Sequence, residues 1–150
     1  MKQPIRHHNN TNKSVDLGQA PFFSDIAEGP KNGAAFWIST DDGLRLRVGQ
    51  WQPERASKGT ILLFPGRTEY IEIHGRNASD LIAHGYTVLT IDWRGHGLSD
   101  RILSDNKTVH VEQFTDYQKD VAAMVAFATC NNLPTPWFLL GNSMGGCIGL

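Results

Sequence analysis

The stretch PWFLLGNSMGGCIGL, residues 136–150, runs from four apolar residues into a glycine-flanked serine and on into small residues. Gly141, Asn142, Ser143, Met144 and Gly145 match the pattern G-x-S-x-G. An apolar strand before it and a helix after it form the context in which that pattern presents a nucleophile. A sharp turn of this kind holds the serine in a strained backbone conformation, and the flanking glycines leave room for neighbouring backbone. The hydroxyl then stands at a helix N-terminus, whose free N–H groups favour a developing oxyanion. Ser143 is the candidate nucleophile and the N–H of Met144 one candidate oxyanion donor. In isolation the pattern fits a glycine-rich turn equally well, so the flanking sequence has to decide.

Upstream, TILLFPG (60–66) and YTVLTIDWRG (86–95) are near-continuous apolar runs, as expected of parallel strands covered on both faces, and PWFLLGNS is a third of the same kind. Between the first two, residues from about Ile71 to His84 read as a helix with Gly85 as its C-cap. Between the second and third, Thr115 and Gln118 form a capping-box pattern ahead of Val121, Met124, Val125 and Ala128, which share a helical face with Tyr117. Asn131, Asn132 and Pro134 end that helix. Strand, helix, strand, helix, strand predicts an α/β fold with right-handed crossovers. Ahead of it, AAFWIST and LRLRVGQW flank Asp41, Asp42 and Gly43, which predicts an antiparallel hairpin at a sheet edge, interrupted at Gly49. Residues 1–33 read as an irregular leader and 34–150 as the domain.

Fourteen Lys and Arg against fifteen Asp and Glu give a net charge of −1, so no field of one sign recruits nucleic acid or an anionic membrane. Cys130 and Cys147 lack the spacing of a metal site or disulfide framework and are expected to be small buried hydrophobes. No run approaches the roughly 18 apolar residues that span a bilayer. The polar N-terminus lacks the apolar core of a secretory signal, so the expected location is the cytoplasm. Any peripheral membrane contact is expected through parts outside this chain.

A second oxyanion donor should come from the loop after the first parallel strand, where LLFPGRTEY places Pro65 and Gly66 so that Arg67 can turn its N–H inward. The Arg67 guanidinium itself is assigned to solvent or an ion pair. Farther on, IDWRGHGLSDR (91–101) packs Asp92, Arg94, Gly95, His96, Gly97, Ser99, Asp100 and Arg101 into a tight turn. With FPGRTEYIE, DWRGHGLSDR and GNSMGG in this order, the chain from about Ala34 to Leu150 resembles the N-terminal half of the α/β-hydrolase superfamily. Within it, the resemblance is to the bacterial lysophospholipase and monoacylglycerol-lipase-like branch, also grouped as serine aminopeptidase-type hydrolases. It implies a serine hydrolase of carboxylic esters acting on a small lipid ester, with no metal and no cofactor. It assigns His96 to a structural turn rather than to catalysis. His7, His8, His74, His84 and His110 are likewise in positions unsuited to the base. The superfamily triad runs Ser, then Asp or Glu, then His, so the acid, the base and a cap over the site are expected beyond Leu150, with the chain truncated after the elbow. Two alternatives remain open: an aminopeptidase-like amide hydrolase on the same fold, and a non-catalytic binding protein that keeps the fold.

Overall fold

The computed structural model describes residues 15–105 and 108–150. His7 and His8 lie outside them. Six strands form one mixed sheet: β1 (Asp16–Ala20), β2 (Ala34–Ser39), β3 (Arg45–Trp51), β4 (Thr60–Phe64), β5 (Thr87–Asp92) and β6 (Trp137–Gly141), in the order β1-β2-β3-β5-β4-β6. The first three pair antiparallel, β3 joins β5 antiparallel, and β4 pairs parallel with both β5 and β6. The parallel core and its crossovers match the expected α/β-hydrolase topology.

The hairpin forms at Asp41–Gly43, where Gly43 takes φ +87° and the Thr40 N–H donates to the Leu44 carbonyl at 2.9 Å. It is not at the sheet edge, because β1 adds a further strand outside β2. The leader read as irregular over 1–33 therefore supplies ordered structure: β1, and a short helix α1 (Ser24–Ala27) that packs near Gly75. Gly49 does not end β3 either; it removes a side chain where Ile71 crosses, a Cβ there lying 3.1 Å from the Ile71 side chain.

The apolar runs of β4 and β5 serve two faces by strand alternation. Leu62, Phe64, Leu89 and Ile91 point into a core capped by α3 (Tyr117–Cys130) and α4 (Met144–Ile148), through Tyr117, Met124, Phe127 and Ile148. Leu63 and Val88 point the other way, onto Trp51 and Ala78 of α2 (Gly75–Ala83). Each such side chain fully withdrawn from water stabilises the fold by about 1.5–3 kcal/mol. The predicted helix over 71–84 is a 3-10 turn, Ile71–His74, leading into α2, and Gly85 at φ +91° closes it as expected. The capping box ahead of α3 lies two residues earlier than predicted: the Gln113 N–H donates to Asp116 Oδ2 at 3.2 Å and a 3-10 turn, Phe114–Asp116, precedes the helix.

Strand β6 differs from the other parallel strands. Among the described residues it pairs only with β4, and Phe138, Leu139 and Leu140 are 44%, 50% and 46% exposed, so it is not covered on both faces as its composition predicts. Cys130 and Cys147 are both exposed free thiols, against the expected burial; Cys130 is the last residue of α3 and Cys147 the last but one of α4.

Candidate active site

Ser143 sits between β6 and α4 with φ 49° and ψ −116°, a backbone region that L-residues occupy only at a cost of order 1–3 kcal/mol. The two glycines of the pattern are there for space. A Cβ on Gly141 would lie 2.7 Å from Gly146 Cα, and one on Gly145 would lie 2.6 Å from the Pro65 carbonyl oxygen and nearer still to that of Phe64. Helix α4 therefore approaches the end of β4 backbone to backbone. The Asn142 N–H donates to the Phe64 carbonyl at 3.0 Å, carrying the β4–β6 ladder one residue past the strand. The Ser143 carbonyl accepts the Gly146 N–H at 2.9 Å, so the serine also opens the helix.

Met144 is the first residue of α4, where no helical carbonyl takes up the N–H. Arg67 lies in the loop between β4 and the 3-10 turn, and its N–H, like that of Met144, donates to no acceptor among the described residues. The Arg67 side chain is exposed and forms no ion pair among them. Both residues line, with Ser143, a cavity of about 720 Å³ walled by Val109, Val111, Phe114, Tyr117 and Cys147. Its mostly apolar wall and free N–H groups suit a substrate with a hydrocarbon portion and one carbonyl to polarise.

The loop carrying Arg67 is held at both ends by the 91–101 turn. The Trp93 indole donates to the Pro65 carbonyl at 3.0 Å, and Asp92 Oδ1 accepts the Ile71 N–H at 2.8 Å. The second oxygen of Asp92 takes the Leu98 N–H and Arg47 Nε, at 2.9 and 2.8 Å. Arg47 in turn makes a two-pronged bond to Glu72, both contacts 2.8 Å. All three of these charged side chains are buried. Burial pushes the Asp92 carboxyl up, against the pull of Arg47. Gly97 at φ +47° is required because a Cβ there would strike the Asp92 carboxylate. A parallel cluster joins Arg94 to Asp120 at 2.7–2.8 Å and to Asp42 at 3.0 Å.

His96 belongs to this turn. It is buried, its Nδ1 lies 3.0 Å from the Arg94 carbonyl, burial lowers its pKa, and it does not line the Ser143 cavity. His110 does line that cavity, although no hydrogen bond joins it to Ser143 among the described residues. Its proximity had no signal in the sequence: it sits in an irregular segment that packs through Val111 against the core and passes the turn at Gly95. Among the described residues there is no group of three or more His, Cys, Asp or Glu side chains able to hold a metal ion, and no helix is long and apolar enough to cross a membrane.

Residues 55–150 match the family model described as "Serine aminopeptidase, S33". The chain is 41% identical over 123 residues to lysophospholipase L2 of Escherichia coli K12, covering 75% of this chain and 35% of that one. It is 30% identical over 106 residues to a monoacylglycerol lipase of Mycolicibacterium smegmatis, covering 71% and 36%. It thus spans about a third of the length of these curated relatives. Among solved structures, the α/β hydrolase GrgF of a Penicillium species superposes with a TM-score of 0.64 at 22% identity, over 77% of this chain and 39% of that one, a likeness of fold.

Proposed function

Because the chain belongs to the serine aminopeptidase family of α/β hydrolases, we propose that it carries the nucleophile and oxyanion hole of a serine hydrolase of carboxylic esters, with lysophospholipids or monoacylglycerols as the substrate class. The observation that carries this reading is the backbone of Ser143, held at φ 49° and ψ −116° between two glycines that have no room for a side chain. Folded proteins keep such strain where the exposed hydroxyl is used. In the proposed reaction Ser143 Oγ attacks the ester carbonyl, and the negative charge that develops on its oxygen is met by the N–H groups of Met144 and Arg67. The alcohol half leaves with a proton, and water then releases the acid from the acyl-serine. The proton passes through a histidine oriented by an acid. The relatives named for lysophospholipase and monoacylglycerol lipase activity support the lipid ester class, as does the apolar cavity wall.

The test is Ser143→Ala in the protein expressed from its complete reading frame, assayed on a lysophospholipid, a monoacylglycerol and an aminoacyl amide. Loss of ester hydrolysis by orders of magnitude supports the reading. Retention of most activity removes Ser143 from its role, and turnover of the amide alone transfers the site to the aminopeptidase alternative.

A further inference from the structure

On the reading of Ser143 as nucleophile, we propose that Glu69 is a positioning residue that ties the two halves of the oxyanion hole together. Its carboxylate is shared between them. Oε2 accepts the Gly66 N–H at 2.6 Å, one residue before the Arg67 donor, and Oε1 accepts Asn142 Nδ2 at 2.7 Å, one residue before Ser143 and two before the Met144 donor. A carboxylate accepts and does not donate, which orients the Asn142 amide with its nitrogen inward. Both bonds are charge-assisted and short, the class that fixes geometry most firmly.

The other ties between these segments lie upstream of the reacting groups. The Asn142 N–H bond to Phe64 and the Trp93 bond to Pro65 anchor the end of β4, but neither reaches past Gly66. Glu69 holds both sides of that glycine: its carboxylate takes the N–H of the Pro65–Gly66 peptide, and its own N–H turns to the carbonyl of the Gly66–Arg67 peptide. The loop is also built to bring it there: Thr68 takes φ 66°, and the Glu69 N–H turns back toward the Gly66 carbonyl at 3.4 Å. A Cβ on Gly66 would lie 3.2 Å from the Glu69 carboxyl and 3.3 Å from Asn142 Nδ2, so the glycine also makes room for the contact.

Beneath the carboxylate sits His74, buried, with Nε2 3.1 Å from Glu69 Oε2. Asn77 Nδ2 faces His74 Nδ1 at 3.3 Å, which places the proton of the neutral ring on Nε2, toward Glu69. The Glu69 carboxylate thus accepts two hydrogen bonds, from Gly66 and Asn142, and has the buried His74 ring beside it.

The decisive pair of variants is Glu69→Leu and Glu69→Gln. Leucine has no group that can accept from the Gly66 N–H or from Asn142 Nδ2, so both ties are lost. Glutamine keeps an oxygen for the Gly66 N–H, and its nitrogen donates to Asn142 Oδ1 once the Asn142 amide turns over, so both ties are kept without the charge. In the protein from the complete reading frame, with turnover of a p-nitrophenyl ester normalised to the Ser143 sites that a fluorophosphonate probe can label, Glu69→Leu should lower kcat on the order of 10²-fold, as loss of about 1 Å of alignment does. KM should stay within a few-fold, and Glu69→Gln should keep most of the activity. Hydrogen exchange reads the clamp without activity: protection of the Gly66 amide should fall in Glu69→Leu and be kept in Glu69→Gln. Unchanged kcat and unchanged exchange in Glu69→Leu, or a Glu69→Gln as impaired as Glu69→Leu, overturns the clamp. If Ser143→Ala remains active, the nucleophile assignment falls, and the catalytic purpose of Glu69 with it. If Ser143→Ala is inactive while Glu69→Leu is normal, only the clamp is wrong.

Discussion

Replacing Gly145 by alanine puts a methyl group 2.6 Å from the Pro65 carbonyl oxygen and closer to that of Phe64. A comfortable contact needs about 3.5 Å, so α4 must withdraw from the end of β4 by more than about 1 Å, with the Phe64 carbonyl as the limiting contact. Both sides of the clash are backbone, and overpacking of this kind costs about 1–3 kcal/mol. Alanine in a helix returns up to ~1 kcal/mol, which leaves a net loss of about 0–2 kcal/mol. The neighbouring Gly146→Ala is the internal control, because a Cβ there meets nothing nearer than the Gly141 oxygen at 3.9 Å. That variant should keep the same helix gain without the clash. With a urea dependence of about 1–3 kcal/mol per molar, the two unfolding midpoints should separate by roughly 1 M in protein expressed from the complete reading frame, followed by tryptophan fluorescence. Ester hydrolysis should separate them too, since the same 1 Å displaces Ser143 and costs on the order of 10²-fold in kcat. Coincident midpoints for the two variants would refute the close approach on which the elbow geometry rests.

Arg47→Met leaves Glu72 and Asp92 buried without their shared cation, and should destabilise by about 3–5 kcal/mol in the same urea titration. Asp42 is held at about 2, below its ordinary 3.8; burial opposes this, but hydrogen bonds from Arg94, Thr40 and Lys119 outweigh it. A carboxyl depressed in the folded state adds stability above its unfolded pKa, and that stability is lost as pH falls through 3.8 toward about 2. Asp42→Asn should therefore flatten the acid limb of a stability–pH curve in that window. The 150-residue chain by itself should associate with rising concentration in light scattering, through the open edge and exposed Phe138, Leu139 and Leu140 of β6, and Leu139→Lys should reverse this. That same chain should label at Ser143 with a fluorophosphonate far more slowly than a serine hydrolase, because no base among the described residues bonds to its hydroxyl.

What could be read from the sequence was what depends on neighbours in the chain. The elbow was legible because Gly141 and Gly145 flank a serine after an apolar strand, and the parallel core because Leu62–Phe64 and Val88–Ile91 are apolar on both faces. Strand β1 was hidden: most of it is exposed, Gly18 bulges it, and its backbone pairing with β2 leaves no periodic trace. Arg47 alternates with Leu46 and Val48, a pattern that carries no sign of burial for the arginine. It is buried because Glu72 and Asp92 arrive from segments 25 and 45 residues away. The same holds for Arg94 and Asp120. The cysteines misled in the other direction, since a small apolar residue has no pattern that distinguishes a core site from a helix end.

The Arg47–Glu72–Asp92 cluster also bears on how quickly this fold comes apart. Its members belong to β3, the 3-10 turn and β5, so its bonds can close only after the hairpin has docked on β5 and the loop after β4 has folded back. Stripping water from three charges is unfavourable until all three are in register, which puts closure late on the folding route, after most apolar surface is already buried. Interactions made after the transition state slow unfolding without speeding folding. The network is therefore expected to act as a latch: in stopped-flow urea jumps Arg47→Met should raise the unfolding rate while leaving the folding rate nearly unchanged, and a slowed folding rate instead would place closure before the transition state.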